Sequence, residues 1–171
     1  RYSPDYKSIV YLSYLNGNPR IYVYDLVAGT QRLVTQTTNP TFAPRWSPDG
    51  RTILYSMAVN GNTDIYSVSV QGGQSKRLTD APGIDVGGSY SPDGRQIVFE
   101  SDRSGSQQVY VMNADGTNQR RITFFGGRAA TPEWSPRGDQ IAFTHIAGNF
   151  RIGLMDPSGG NLRHLTDSWQ D

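Results

Sequence analysis

Short runs of β-branched and aromatic residues succeed one another along the whole chain, each closed by Gly, Pro, Asn or Asp. No segment carries apolar residues at helical spacing over three turns, so the pattern predicts strands and no helix. Residues 88–123 show the grammar best. Residues 88–91 read as a short first strand. Pro92-Asp93-Gly94 follows as a turn, because Pro presets φ and Gly accepts a positive φ. The run 96–100 (Gln-Ile-Val-Phe-Glu) is a second strand, 102–106 a turn around Gly105, and 108–112 a third strand. Ala114-Asp115-Gly116-Thr117 is a hairpin signal, and 119–123 is the fourth strand.

The same grammar repeats. Ser3-Pro4-Asp5 returns as Ser47-Pro48-Asp49, Ser91-Pro92-Asp93 and Ser135-Pro136-Arg137, the serines 44 residues apart each time. An aromatic residue precedes each serine: Tyr2, Trp46, Tyr90 and Trp134. Asn16-Gly17, Asn60-Gly61, Ser104-Gly105 and Ala147-Gly148 keep the same beat. So do Ile21-Tyr22, Ile65-Tyr66 and Val109-Tyr110, weakening to Ile152-Gly153. A four-stranded antiparallel unit recurring every ~40–50 residues is the signature of a β-propeller blade. The expected fold is therefore all-β, with blades at 1–35, 43–79, 87–123 and 131–166 and inter-blade loops at 36–42, 80–86 and 124–130. A β-sandwich is the weaker rival, since it needs no single period. Propellers close with ~4–8 blades. The chain opens on a first strand and stops just past a fourth, at Asp167-Ser168-Trp169-Gln170-Asp171. That arrangement suggests part of a larger propeller; an open arc or closure by self-association are the alternatives.

Composition narrows the chemistry. Of 171 residues, 36% are hydrophobic and 18% charged, within the range of one soluble domain, and 19 Gly with 10 Pro suit many tight turns. The absence of Cys excludes disulfides, thiolate nucleophiles and Cys-based zinc sites. A net charge of +1, with no basic run longer than Arg120-Arg121, argues against nucleic acid. No apolar stretch approaches the roughly 20 residues of a membrane-spanning helix, and the N-terminus is not a signal peptide.

No catalytic set stands out. The Ser-Pro-Asp residues recur four times as turn formers, whereas an active site needs one special copy. Gly87-Gly88-Ser89-Tyr90-Ser91 lacks the closing Gly of a nucleophile elbow. His145 and His164 have no buried acid in prospect to complete a triad. Arg137-Gly138-Asp139 spells a cell-adhesion tripeptide but falls on the repeated turn, and Asp115-Gly116 lacks the alternating oxygen ligands of a calcium loop. No metal or cofactor is expected. The aromatics before each Ser-Pro and the tyrosines at 22, 66 and 110 read as packing.

The informative segments are the non-repeating ones entering each first strand, 37–45, 80–89 and 124–133. Where a scaffold repeats and loops vary, specificity lies in the loops. Thr41, Phe42, Arg45, Ile84, Asp85, Val86, Arg128, Thr131 and Glu133 are the candidate partner-binding residues. They mix apolar anchors with a few charges, as an interface centre and rim would.

The repeats resemble those of the TolB family, periplasmic propellers of the Tol-Pal system of Gram-negative bacteria. The carrying stretches are 46–51 (Trp-Ser-Pro-Asp-Gly-Arg), 90–103, 109–117 and 131–139. The resemblance implies a six-bladed propeller, a periplasmic location and a non-catalytic scaffold. Such a scaffold docks the lipoprotein Pal at the propeller mouth and supports outer-membrane integrity and cell division. It also implies colicin translocation segments as visitors to the same mouth, and places TolA binding in an N-terminal domain outside this chain. Similar blades gate prolyl-oligopeptidase-like and dipeptidyl-peptidase-like serine peptidases. That is the alternative reading; a sugar-binding or lyase-type propeller is a third.

Overall fold

The computed structural model describes residues 1–15 and 17–166. Asn16, placed above in a repeated turn, and the closing residues 167–171 lie outside the described residues. Fifteen strands and no helix occur among the described residues. Strands β1 (Ser8–Ser13), β2 (Arg20–Asp25) and β3 (Thr30–Leu33) form one antiparallel sheet. Strands β4 (Thr41–Trp46), β5 (Thr52–Val59), β6 (Asn62–Ser69) and β7 (Lys76–Arg77) form the second. The third holds β8 (Asp85–Tyr90), β9 (Gln96–Ser101), β10 (Gln108–Asn113) and β11 (Arg120–Arg121). The fourth holds β12 (Arg128–Trp134), β13 (Ile141–Ala147), β14 (Asn149–Met155) and β15 (Arg163–His164). Sequence neighbours pair in every sheet, as expected of propeller blades.

Two details differ from the sequence reading. The first copy has three strands instead of four. A single bridge between Tyr2 and Ile9 stands where the other copies have an inner strand. The inner strands of the other copies start earlier than expected, at Thr41, Asp85 and Arg128. Each takes in residues that the sequence reading left in a loop.

Two compact units make up the chain, Arg1–Gly88 and Ser89–Asp171. In the first, Val10, Ile21, Val23, Ile53, Tyr55 and Val68 form a core that Leu12, Trp46, Val59 and Val70 extend. Strand β5 buries five consecutive residues, Ile53–Met57, so both of its faces are covered. In the second unit, Val98, Val111, Ile122, Trp134, Ile141 and Phe143 are the centre of the core. The tyrosine positions of the repeat are explained by cross-strand register. Tyr11 faces Tyr22, Tyr55 faces Tyr66 and Phe99 faces Tyr110, with ring centroids 5.9, 5.8 and 5.7 Å apart. Such pairs contribute about 0.5–1.5 kcal/mol beyond area burial. The fourth copy replaces the second tyrosine by Gly153 because the Phe143 ring lies over it. A Cβ there would sit 2.5 Å from the ring.

Each Ser-Pro-Asp turn is a small hydrogen-bonded box. The Ser47 hydroxyl donates to Asp49 Oδ1 (2.6 Å), which also accepts the Arg51 N–H (3.0 Å), and the Thr52 N–H donates to the serine oxygen (2.9 Å). The same bonds recur at Ser3/Asp5 and Ser91/Asp93. In the fourth copy Arg137 cannot accept, and Asp139 takes over: Ser135 donates to its Oδ1 at 2.7 Å. The adhesion-like tripeptide is thus a turn that has moved its acid two places on.

Candidate partner-binding site

A polar side chain of the preceding sheet holds each inter-sheet loop. Asn18 Nδ2 donates to the Thr38 carbonyl (2.6 Å). Asn62 donates through Nδ2 to the Ala81 carbonyl (3.3 Å) and accepts the Gly83 N–H at Oδ1 (2.7 Å). Gln108 Nε2 donates to the Gly127 carbonyl (3.0 Å). These amides fix the loops where backbone groups would otherwise seek solvent. Behind Asn62 lies an ionic cluster. Buried Asp64 accepts from Arg77 at 2.6 Å and from the Thr79 hydroxyl at 3.3 Å.

The candidate residues now divide. In the first unit, Thr41 is buried, its hydroxyl bonded to the Pro19 carbonyl at 3.0 Å. Phe42 and Arg45 are half-buried on β4, opposite Ser56 and Leu54. Asp85 is wholly buried and Val86 half-buried, whereas Ile84 stands 48% exposed beside a parallel bridge to Thr63. Thr41 and Asp85 are therefore enclosed in the scaffold, and Ile84 is the exposed member of this unit's candidates. In the second unit, Arg128 is exposed, donating to Gln107 Oε1 at 3.4 Å. Thr131 is exposed; its N–H donates to Glu100 Oε2 (3.0 Å) and its hydroxyl lies 2.9 Å from that of Thr144. Glu133 is half-buried opposite Ala142.

Sequence reasoning missed a repeated bulge. Strand β4 shifts register between Phe42 and Arg45, and β12 between Ala130 and Glu133. Ala43 and Thr131, 88 residues apart, both adopt left-handed backbone (φ 53° and 49°), and Gly87, midway between them, does the same (φ 67°). The available signal was Gly87 together with the prolines that follow the other two, Pro44 and Pro132. A bulge re-aims the side chains around it and is common at functional rims.

Glu100 and the histidines were also missed as neighbours of this region. His145 Nε2 lies 2.8 Å from the Gly126 carbonyl, to which it can only donate, leaving Nδ1 to accept from His164 Nε2 at 2.7 Å. The two rings stack with centroids 5.0 Å apart, and Phe125 meets His145 edge-on at 4.5 Å. Desolvation, then the neighbouring His145 and Arg151, holds the His164 imidazole below its ordinary pKa. Through these contacts the pair pins loop 124–127 to its sheet. No group of three or more metal-ligating side chains occurs among the described residues.

A model of the TolB beta propeller domain matches residues 1–171. The chain belongs to the TolB β-propeller family. It is 82% identical over all 171 residues to Tol-Pal system protein TolB 1 of Novosphingobium aromaticivorans, covering 38% of that protein. The chain thus spans well under half the length of this curated relative. The solved structure of a putative TolB from Agrobacterium tumefaciens superposes with a TM-score of 0.90 at 34% identity, over 96% of this chain and 63% of that one. TolB from Acinetobacter baumannii gives 0.88 at 36% identity, over 96% and 42%. A puromycin hydrolase (TM-score 0.74, 19% identity, 90% of this chain and 27% of that one) shares the fold alone. So does an oligogalacturonate lyase of Vibrio parahaemolyticus (0.73, 15%, 95% and 50%).

Proposed function

We propose that this chain is the blade region of a periplasmic, non-catalytic adaptor of the Tol-Pal system, one that docks Pal at the inter-blade loops and so supports outer-membrane integrity and cell division. The observation that carries this reading is 82% identity along the entire chain to a protein named for that system. The loops support it. Their backbones are pinned by Asn18, Asn62 and Gln108, Ile84 is exposed on its loop, and Arg128 and Thr131 are exposed on β12. Preorganised loops that leave an apolar side chain exposed in one unit and a charged one in the other suit a protein partner. Colicin translocation segments would use the same rim. TolA would engage a domain outside this chain, and a complete ring of six blades is the expected context.

The test is titration calorimetry of the full-length protein with the periplasmic domain of Pal. Ile84→Ala alone, and Arg128→Ala with Thr131→Ala, should each weaken binding about tenfold, or ~1.4 kcal/mol. Asp85 is left intact because it is buried and its loss would report on folding. Unchanged affinity in both variants would move the docking site off these loops. No binding by the folded parent would remove Pal as the partner.

A further inference from the structure

The first three copies of the repeat match position for position, and one polar place in them changes character each time. Arg20, Asp64 and Gln108 occupy it, opposite Ser13, Met57 and Ser101. The next residue in each copy donates its N–H to a threonine hydroxyl, that of Thr35, Thr79 or Thr123. In the second copy an ion pair closes the place, with Arg77 Nη2 donating to Asp64 Oδ2 at 2.6 Å. In the third, Gln108 accepts from the Thr123 hydroxyl at 2.7 Å and donates to the Gly127 carbonyl at 3.0 Å.

In the first copy both members of the ion pair are exchanged. Arg20 stands in place of Asp64, and Leu33, opposite Tyr22, stands in place of Arg77, opposite Tyr66. An open recess of about 580 Å³ lies there, lined by Arg20, Leu33, Gln36, Thr37 and Thr38. Its size falls in the range of small-ligand pockets, about 300–1,000 Å³. The half-buried Arg20 side chain has no hydrogen bond or ion pair among the described residues. Of its three nitrogens only Nε is sealed from solvent. A guanidinium held out of water without a counter-charge is costly, so it gains from an anion that enters. The Gln36 amide and the Thr38 hydroxyl on the same wall are also unbonded.

The second copy shows which anion suits the place, namely a side-chain carboxylate. The planar fork of one guanidinium matches the two oxygens of one carboxylate, charge for charge. Leu33 offers apolar surface for the methylenes that carry it. We infer that this recess binds the side-chain carboxylate of a glutamate on a partner's peptide segment, the carboxylate meeting the terminal nitrogens of Arg20. The site uses none of Ile84, Arg128 and Thr131, so it stands or falls apart from Pal docking.

The test is an NMR titration of the full-length protein with acetyl-Gly-Glu-Gly amide, following the Arg20 Nε–H resonance assigned with Arg20→Lys. A saturable shift at millimolar peptide is expected, with acetyl-Gly-Gln-Gly amide having no effect. Arg20→Asp with Leu33→Arg rebuilds the ion pair of the second copy. This variant should keep the parent's melting temperature and weaken binding about tenfold, read from the peptide's own resonances; Arg20→Gln should weaken it as much. An unmoved Arg20 resonance would overturn the inference, as would an equal shift from the glutamine peptide or parental affinity in the two variants. A response to inorganic phosphate, or to the free C-terminus of acetyl-triglycine, as strong as that to the glutamate peptide would overturn the assignment to a side-chain carboxylate.

Discussion

The aspartates of the repeated turns are held as acceptors. At Asp5, Asp49 and Asp93 the serine hydroxyl two residues earlier, and then a backbone N–H two residues later, keep the carboxyl below its usual pKa. Ser135 does the same for Asp139, and Ser158 for Asp156. A carboxylate whose folded pKa is depressed adds stability above its unfolded pKa of about 3.9, and that stability is lost as pH falls through the folded value. Thermal melts should therefore fall steeply below about pH 4, after a shallow loss through the histidine range from the lowered His164 pKa. The double substitution Ser47→Ala, Ser91→Ala should lower stability at neutral pH and flatten the acid limb; an unchanged acid limb would remove the boxes as its cause. At this scale the turn residues were readable, because Ser, Pro, Asp and Gly have local reasons to be there. The transfer of the acceptor to Asp139 was not, since it depends on a bond across the turn. The His145–His164 stack was equally hidden, its members coming from two strands 19 residues apart.

Among the elements, the inner strands depart furthest from expectation. The strand read from residue 88 in fact starts at Asp85, so Gly87 as well as Gly88 belongs to β8. Gly87 adopts left-handed backbone (φ 67°), and Gly88 is a point of close approach: a Cβ there would lie 2.7 Å from Leu54 Cδ2 and 3.3 Å from Ile65 Cδ1. Both neighbours are fully buried and have no room to retreat. Gly88→Ala should cost about 1–3 kcal/mol, as over-packing does, read as a lower urea midpoint with unchanged slope. Wild-type stability would mean that Leu54 has another rotamer available. The second and third strands of each blade were legible, because alternation and aromatic content declare them. The inner strands were legible only in their later halves, as at 88–90. Their glycines and prolines serve tertiary packing and look, locally, like loop residues.

On the scale of the whole chain, the 44-residue period and the wording of the third and fourth copies were enough to reach the family. Which candidate residues reach solvent was decided by tertiary packing. The last sheet leaves an apolar stripe outward: on β14, Phe150 is 68% and Ile152 41% exposed, and Leu165 nearby is 58% exposed. A stripe of this kind invites association. The 171-residue chain on its own should therefore sediment as a concentration-dependent dimer or larger species. Phe150→Ser with Ile152→Thr should shift it to monomer. A monomeric parent at high concentration would contradict this.

The amide tethers also bear on how such a protein diversifies. Each loop takes its anchor from the blade it leaves: Asn18 holds the segment at Thr38, Asn62 the one at 81–83, Gln108 the one at Gly127. Loop and anchor thus travel together as a cassette within one repeat length. Duplication of a repeat hands on a ready-supported recognition loop, whose tip is free to drift while its hinge stays fixed. For engineering, the unit to exchange is the hairpin amide together with the loop it holds.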